Sequence, residues 1–251
     1  MPPFTLLLGV SSDLDEMVHV WISAMDQDPF WKTWMGTMTP SQIEEWTKQN
    51  LRYRIVTGVE LGVMQTWKVV DENTGKIAAW TGLSFPWPET LTDAERASLT
   101  SSWSPPEGGN WSIRNWYVEN VTPMVGKAGY DRSKHFQFRH EEADITLAPS
   151  VRQGSMVLPS HQRLGLMTLL TRKCNAIADE YGAPTYLNAR PKAASMFFKE
   201  GFEVCSVRDA ELGEFDETMK GKGELKNGET RFWALKREVG AVSEKRKLSW
   251  E

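Results

Sequence analysis

Six residues in the second half of the chain, Gln162-Arg163-Leu164-Gly165-Leu166-Met167, have the types and spacing to hold an anion. They follow an apolar strand, Met156-Val157-Leu158, and Pro159, and they open a helix. Arg163 brings positive charge, and Gly165 lets the backbone approach a ligand closely. The first N–H groups of a helix lack partners within it, and the positive end of its dipole lies there. A phosphate or pyrophosphate therefore suits this turn. No Gly-Lys-Ser/Thr follows the glycine, which excludes a P-loop, and two glycines of the dinucleotide fingerprint are missing.

Further titratable residues lie nearby. His140, Glu141, Glu142 and Asp144 stand just upstream of the strand, and His161 flanks the turn. His135, His140 and the two glutamates have neither helical nor hairpin ligand spacing, so no metal site is expected. Trp87, Trp103, Trp111 and Trp116 are suited to walling an apolar pocket, and equally to ordinary packing.

The elements that position these residues are read from periodicity. Phe4 to Gly9 reads as a strand. Leu14, Met17, Val18, Trp21, Ile22 and Met25 form one helix face, with Ser12 placed to cap it. Thr39-Pro40 starts a second helix with Ile43, Trp46, Leu51 and Ile55 on its inner stripe. Met64 to Val70 and Lys76 to Phe85 read as strands joined by the hairpin loop Asp71-Glu-Asn-Thr-Gly75. From 86 to about 150 the pattern breaks, with short helices expected at Thr92 to Ser101 and Ile113 to Val125. Regularity returns with the strand ending at Leu158 and the helix that buries Leu166, Leu170, Cys174 and Ile177. The strand Thr185 to Ala189, the helix Pro191 to Lys199, and the strands Phe202 to Val207 and Thr230 to Leu235 complete the order. It runs β-α-α-β-β, insertion, β-α-β-α-β-β. The fold class is α/β (α+β by some conventions), a single mixed, mostly antiparallel sheet flanked by helices. One domain over 1–237 is expected, with 86–150 covering the acceptor side and 238–251 a polar tail.

Composition narrows the function. The 251 residues are 40% hydrophobic and 25% charged, as in an ordinary globular protein. The formal charge of −4 gives no electrostatic reason to expect nucleic acid. No apolar run reaches the roughly 20 residues that span a bilayer, and MPPFTLLLGV has no basic residue before its apolar stretch, unlike a signal peptide. Cys174 and Cys205 are both expected to be buried and reduced, and a cytoplasmic setting fits.

The order of elements and the residues from 157 to 202 resemble the GNAT superfamily of acyl-CoA-dependent N-acetyltransferases. The family signature is Gln/Arg-x-x-Gly-x-Gly/Ala on the turn after the fourth strand. Gln162 and Gly165 match it, while Met167 replaces the small third residue. Val157-Leu-Pro159-Ser-His-Gln162 is similar to the family's Val-x-Pro-x-x-Gln. Ala193-Ala-Ser-Met-Phe197-Phe-Lys-Glu-Gly201-Phe202 is similar to its Ala-x-x-Leu-Tyr-x-x-x-Gly-Phe. The hairpin Asp71 to Trp80 also resembles the family's second and third strands, and the details are most similar to fungal members. The likeness covers roughly 1–85 and 150–237.

The resemblance implies an acetyl-CoA site and a small-molecule primary amine as acceptor, in a monomer or homodimer. The pyrophosphate would lie on the amides of Arg163, Leu164, Gly165, Leu166 and Met167, behind Gln162, and the pantetheine arm along Met156, Val157 and Leu158. Arg190 stands where many members carry Asn or Ser, and reaches either a CoA phosphate or the acceptor, or is a surface residue. Phe197 replaces the tyrosine that protonates the departing thiolate. This leaves water, Ser195 or no catalysis at all. For the general base that an amine nucleophile needs, Asp144 and Glu142 are the candidates. The oxyanion of a tetrahedral intermediate would rest on strand amides near 157–158. A CoA binder without activity, and a transferase using a hydroxyl acceptor or a longer acyl chain, are the alternatives.

Overall fold

The computed structural model describes residues 3–52, 56–85, 87–100, 106–131, 136–138, 142–144, 148–151 and 155–241, the short segments between 136 and 151 by their backbone. Ten strands and nine α-helices are described. β1 (Phe4–Leu8) is followed by α1 (Leu14–Met25), α2 (Pro29–Met35), α3 (Pro40–Leu51) and the single turn α4 (Thr57–Glu60). β2 (Met64–Asp71) and β3 (Lys76–Ser84) form a hairpin, and α5 (Asp93–Thr100), α6 (Trp111–Asn120) and α7 (Pro123–Lys127) come next. β4 (Phe136–Phe138), β5 (Glu142–Asp144), β6 (Ala148–Val151) and β7 (Met156–Val157) lead to α8 (Leu166–Glu180). β8 (Thr185–Ala189), α9 (Pro191–Lys199), β9 (Glu203–Ala210) and β10 (Thr230–Arg237) close the chain.

The main sheet has eight strands in the order β1-β2-β3-β4-β8-β10-β9, with β7 beside β4 on the same edge of β3. All its ladders are antiparallel except β4 with β8. Among the described residues β5 and β6 pair only with each other. The mixed α/β architecture is as expected. The hairpin turn works through Asp71: its Oδ1 accepts from Asn73 N–H at 2.9 Å, its carbonyl accepts from Gly75 N–H at 2.8 Å, and Gly75 takes φ +68°.

Helices cover both faces of the sheet. On the first face α1, α2, α3, α6 and α7 bury an aromatic core that includes Trp21, Phe30, Trp34, Trp80, Tyr117 and Phe232. On the second, α8 and α9 pack Cys174, Ala178, Ala194 and Phe197 over Leu187 and Leu235. Ile113, Tyr117, Val121 and Met124 belong to the first core, so α6 and α7 are structural members of it despite the irregular sequence around them.

Several local expectations are corrected. Ser12 does not cap α1. It lies inside a 3₁₀ turn, Ser11–Asp13, and the Asp13 carboxylate accepts from Val10 N–H at 2.7 Å and from Lys68 Nζ at 2.6 Å. α2 was not expected, although Asp28 caps it through Trp31 N–H at 3.0 Å, with Pro29 at its first position. The helix read from Ile113 to Val125 divides at Val121-Thr122, because Pro123 cannot donate to the preceding turn. Cys205 is exposed, since β9 is the last strand of the sheet and its alternate side chains face solvent. Ile55 lies outside the described residues. Among the described residues no helix is long and apolar enough to cross a membrane.

Candidate active site

The turn from Gln162 to Met167 leads from a 3₁₀ turn into a helix, as its residues imply. Pro159–His161 form one 3₁₀ turn, Arg163 takes φ +64° and Gly165 takes φ +80° at the N-cap of the 15-residue α8. Left-handed backbone is costly for a side chain other than glycine, so Arg163 marks a strained position. A Cβ built on Gly165 meets nothing within 4 Å, so the ground before the helix is open. The first α-helical bond there runs from Leu169 N–H to the Gly165 carbonyl at 3.0 Å, which leaves the preceding amides to an outside acceptor. The first turn of α8 carries no acidic residue. The exposed Arg163 guanidinium has no hydrogen-bond or ion-pair partner among the described residues. His161 ties the turn to the β2–β3 hairpin: its Nε2 lies 3.2 Å from Asp71 Oδ2 and its Nδ1 2.9 Å from Ser160 Oγ. The Asn73 N–H first, and His161 second, hold the Asp71 carboxyl below the usual carboxylate range.

Beside the turn the sheet opens. β4 ladders with β3 at Leu83 and Ser84, and with β8 at Thr185 and Tyr186. β7 ladders with β3 at Ala79 and Trp80, further along the same edge. Among the described residues no strand pairs with the other side of β7, and β8 has only β10 beyond Tyr186. The two strands that border this gap are thus parted. Between β4 and β7 in the sequence, β5 and β6 form a separate two-stranded sheet, with β6 against α6.

Antiparallel alternation decides which amides face the gap. Leu158 N–H donates to the Ala78 carbonyl at 2.9 Å, so Leu158 opposes Ala78 as a hydrogen-bonded pair. Two residues back, Met156 opposes Trp80 in the same manner. Val157, opposite Ala79, is then a pair of the other kind, and its N–H and C=O point away from β3 into the gap. Thr81 Oγ1 and Ser155 Oγ, 2.7 Å apart, fit this register, because such pairs bring side chains closest. Of the amides expected to hold a ligand at 156–158, the ladder consumes the outer two and leaves Val157.

The other expected site residues lie apart from this edge. The Arg190 guanidinium is buried. Its Nε is 3.2 Å from Asp28 Oδ2, one Nη is 2.9 Å from Glu224 Oε1, and the other donates to the Arg231 carbonyl at 3.1 Å. It also lies over the Phe232 ring, 4.4 Å from the centroid. The expectation of a surface residue or a phosphate ligand there gives way to an ion cluster joining α2, β10 and the 211–229 loop. Phe197 is fully buried against Phe202, with ring centroids 5.4 Å apart, on the α9 face that packs onto the sheet. Ser195 is exposed on the opposite side of α9, and the helix period separates it from Phe197. Glu142 and Asp144 are in β5, with their side chains outside the described residues, as are His135, His140 and Trp103. Trp87 packs with Leu61, Leu91 and Leu99 in a separate small cluster, and Trp116 packs on Phe215 and Phe232, so these tryptophans do not form one wall.

Sequence reasoning overlooked two polar groups on the first face. Asn188 of β8 is 3% exposed, and neither its Oδ1 nor its Nδ2 has a partner; the fully buried Tyr117 hydroxyl has none either. Nothing local marks them, since strand alternation tells which residues share a face but not which partners are missing.

No protein-family profile matches the chain, and no curated protein matches it in sequence. Solved structures do match in fold. The C-terminal condensation domain of Ebony, in complex with beta-alanyl-dopamine, aligns with a TM-score of 0.60 at 9% identity, over 95% of this chain and 100% of that one. Mosquito arylalkylamine N-acetyltransferase-like 5b aligns at 0.54 and 14% identity, over 94% and 100%. A histone acetyltransferase HPA2 and related acetyltransferase from Corynebacterium glutamicum aligns at 0.51 and 14%, over 96% and 99%. The chain shares its overall fold with these three structures.

Proposed function

We propose that the protein transfers an acetyl group from acetyl-CoA to the primary amine of a small molecule, by direct attack of the amine on the thioester. One observation carries this reading: an uncovered helix N-terminus with a free arginine adjoins an open strand edge in a parted sheet. The turn supplies amides and positive charge for a pyrophosphate, with Arg163 and the amides of 164–167 as its partners. The edge supplies Val157 N–H and C=O for an extended amide-bearing arm, as in strand addition. A thioester carbonyl at the inner end of that arm would accept from Val157 N–H, which then stabilises the oxyanion of the tetrahedral intermediate.

The amine would approach from the first face, opposite α8. It must shed a proton, and Asp144 or Glu142 on β5 would take it, directly or through water, because β4 and β7, the sheet strands before and after β5 and β6 in the sequence, both border the gap. Phe197 cannot protonate the departing thiolate. With an ordinary thiol pKa near 8.5, the thiolate is a tolerable leaving group without an acid. Incubation with acetyl-CoA and a panel of primary amines, with free thiol recorded, tests the proposal. Thiol release that depends on the amine supports it. Phe197 also favours a second reading, a CoA-binding protein without activity, and binding of CoA with no thiol release from any amine would establish that instead.

A further inference from the structure

We infer that Asn188 is the residue that grips the head of the acceptor amine. This inference rests on the acyltransferase reading above and adds to it where the second substrate is held. Along β8 the side chains alternate, with Leu187 and Ala189 on the α8–α9 face and Tyr186 and Asn188 on the first face. In the parallel register Thr185 and Tyr186 are matched to Phe136 and Gln137, so Asn188 lies one rung past the end of β4. Past this rung, among the described residues, no strand pairs with this edge of β8. On its other side Asn188 opposes Ala234 of β10, too small to cover it.

The carboxamide is 3% exposed, and Asn188 is the one described residue with both of its side-chain polar atoms buried and without a partner. Buried polar groups are nearly always satisfied, and an apolar residue of the same size would avoid the penalty entirely. The unmet capacity includes the Oδ1 acceptor, which suits a neutral amine that donates one N–H and keeps its lone pair free. The neighbouring groups extend the same character. The Tyr117 hydroxyl is buried without a partner, and its ring packs 5.3 Å from Phe232, which lies two residues from Ala234 on the same strand face. The Trp21 indole N–H is also without a partner, and its ring lies 6.1 Å from Trp80, which β3 holds across from Met156. Among the described residues, the buried cation two positions along the chain, Arg190, is already matched by Asp28 and Glu224 and offers no countercharge to Asn188. Oδ1 accepting one N–H would turn the nitrogen lone pair toward the gap where Val157 N–H waits.

The test compares wild type with Asn188→Leu, using butylamine, phenylethylamine, tyramine and ethanolamine as acceptors. The leucine variant is expected to melt no lower than wild type and to keep its acetyl-CoA KM within about twofold. Its KM for every amine that turns over is expected to rise about tenfold, the loss of one such hydrogen bond. An amine KM within about twofold of wild type overturns the inference while leaving the transferase reading intact. A clearly lowered melting temperature also overturns it, since the amide would then be serving the fold. If the wild type releases no thiol with any of the four amines, the transferase reading fails and takes this inference with it.

Discussion

Replacing Gly165 by tryptophan tests the anion turn most directly. The position takes φ +80° and a Cβ there meets nothing within 4 Å, so a side chain can leave the backbone at the mouth of α8 without an immediate clash. Left-handed backbone costs a side-chain-bearing residue about 1–2 kcal/mol. For a chain of this size that lowers the melting temperature by about 2–8 °C. The effect on binding is larger. Two amide hydrogen bonds to a charged phosphate, at about 1.5–3 kcal/mol each, amount to about 3–6 kcal/mol, so CoA affinity should fall by a hundredfold or more. Gly165→Ala carries the same backbone strain without the obstruction, and should lose stability but little affinity. Calorimetric titration with CoA, beside a melting curve, separates the two effects. A folded tryptophan variant that binds CoA as tightly as wild type refutes the assignment of the turn.

Three further outcomes are expected. Val157→Pro removes an N–H that faces the gap and spares the ladder to β3, so the protein should fold and bind CoA while kcat drops about 10²–10³-fold, the effect of one oxyanion donor; unchanged steady-state turnover would place the oxyanion elsewhere. Arg190→Ala strips the partly buried Asp28 and Glu224 carboxylates of their cation, which should cost about 1–3 kcal/mol in urea unfolding and leave CoA affinity alone; the reverse pattern would restore Arg190 as a phosphate ligand. Hydrogen bonds from Arg237 depress the Asp179 carboxyl, so its contribution is present above the unfolded aspartate value and lost as pH falls through the folded one. The stability gap between wild type and Asp179→Asn should therefore be wide at pH 7 and narrow progressively as pH falls below the unfolded aspartate value of about 3.9; a gap independent of pH would show that the carboxylate charge plays no part.

Local chemistry made much of this protein legible from its residues. The Gln162–Met167 turn, the Asp71–Gly75 hairpin and the start of α3 at Thr39-Pro40 depend on conformational preferences within a few positions, and each lies where its residues imply. The class of fold follows from periodicities that need no knowledge of distant partners, whereas α2, α4 and the strands β4, β5 and β6 within the irregular stretch are not read from them. What the chain alone left undecided depends on contacts far apart in sequence. Arg190 reads as a free cation until α2 and the 211–229 loop bring Asp28 and Glu224 to it. Met156, Val157 and Leu158 look equivalent until the ladder to β3 consumes two amides and turns the third outward. Asn188 looks like any strand residue until the sheet parts beside it and its amide is buried without a partner. Hydrogen-bond satisfaction and strand register are properties of pairs, and only the tertiary structure says which residues are paired.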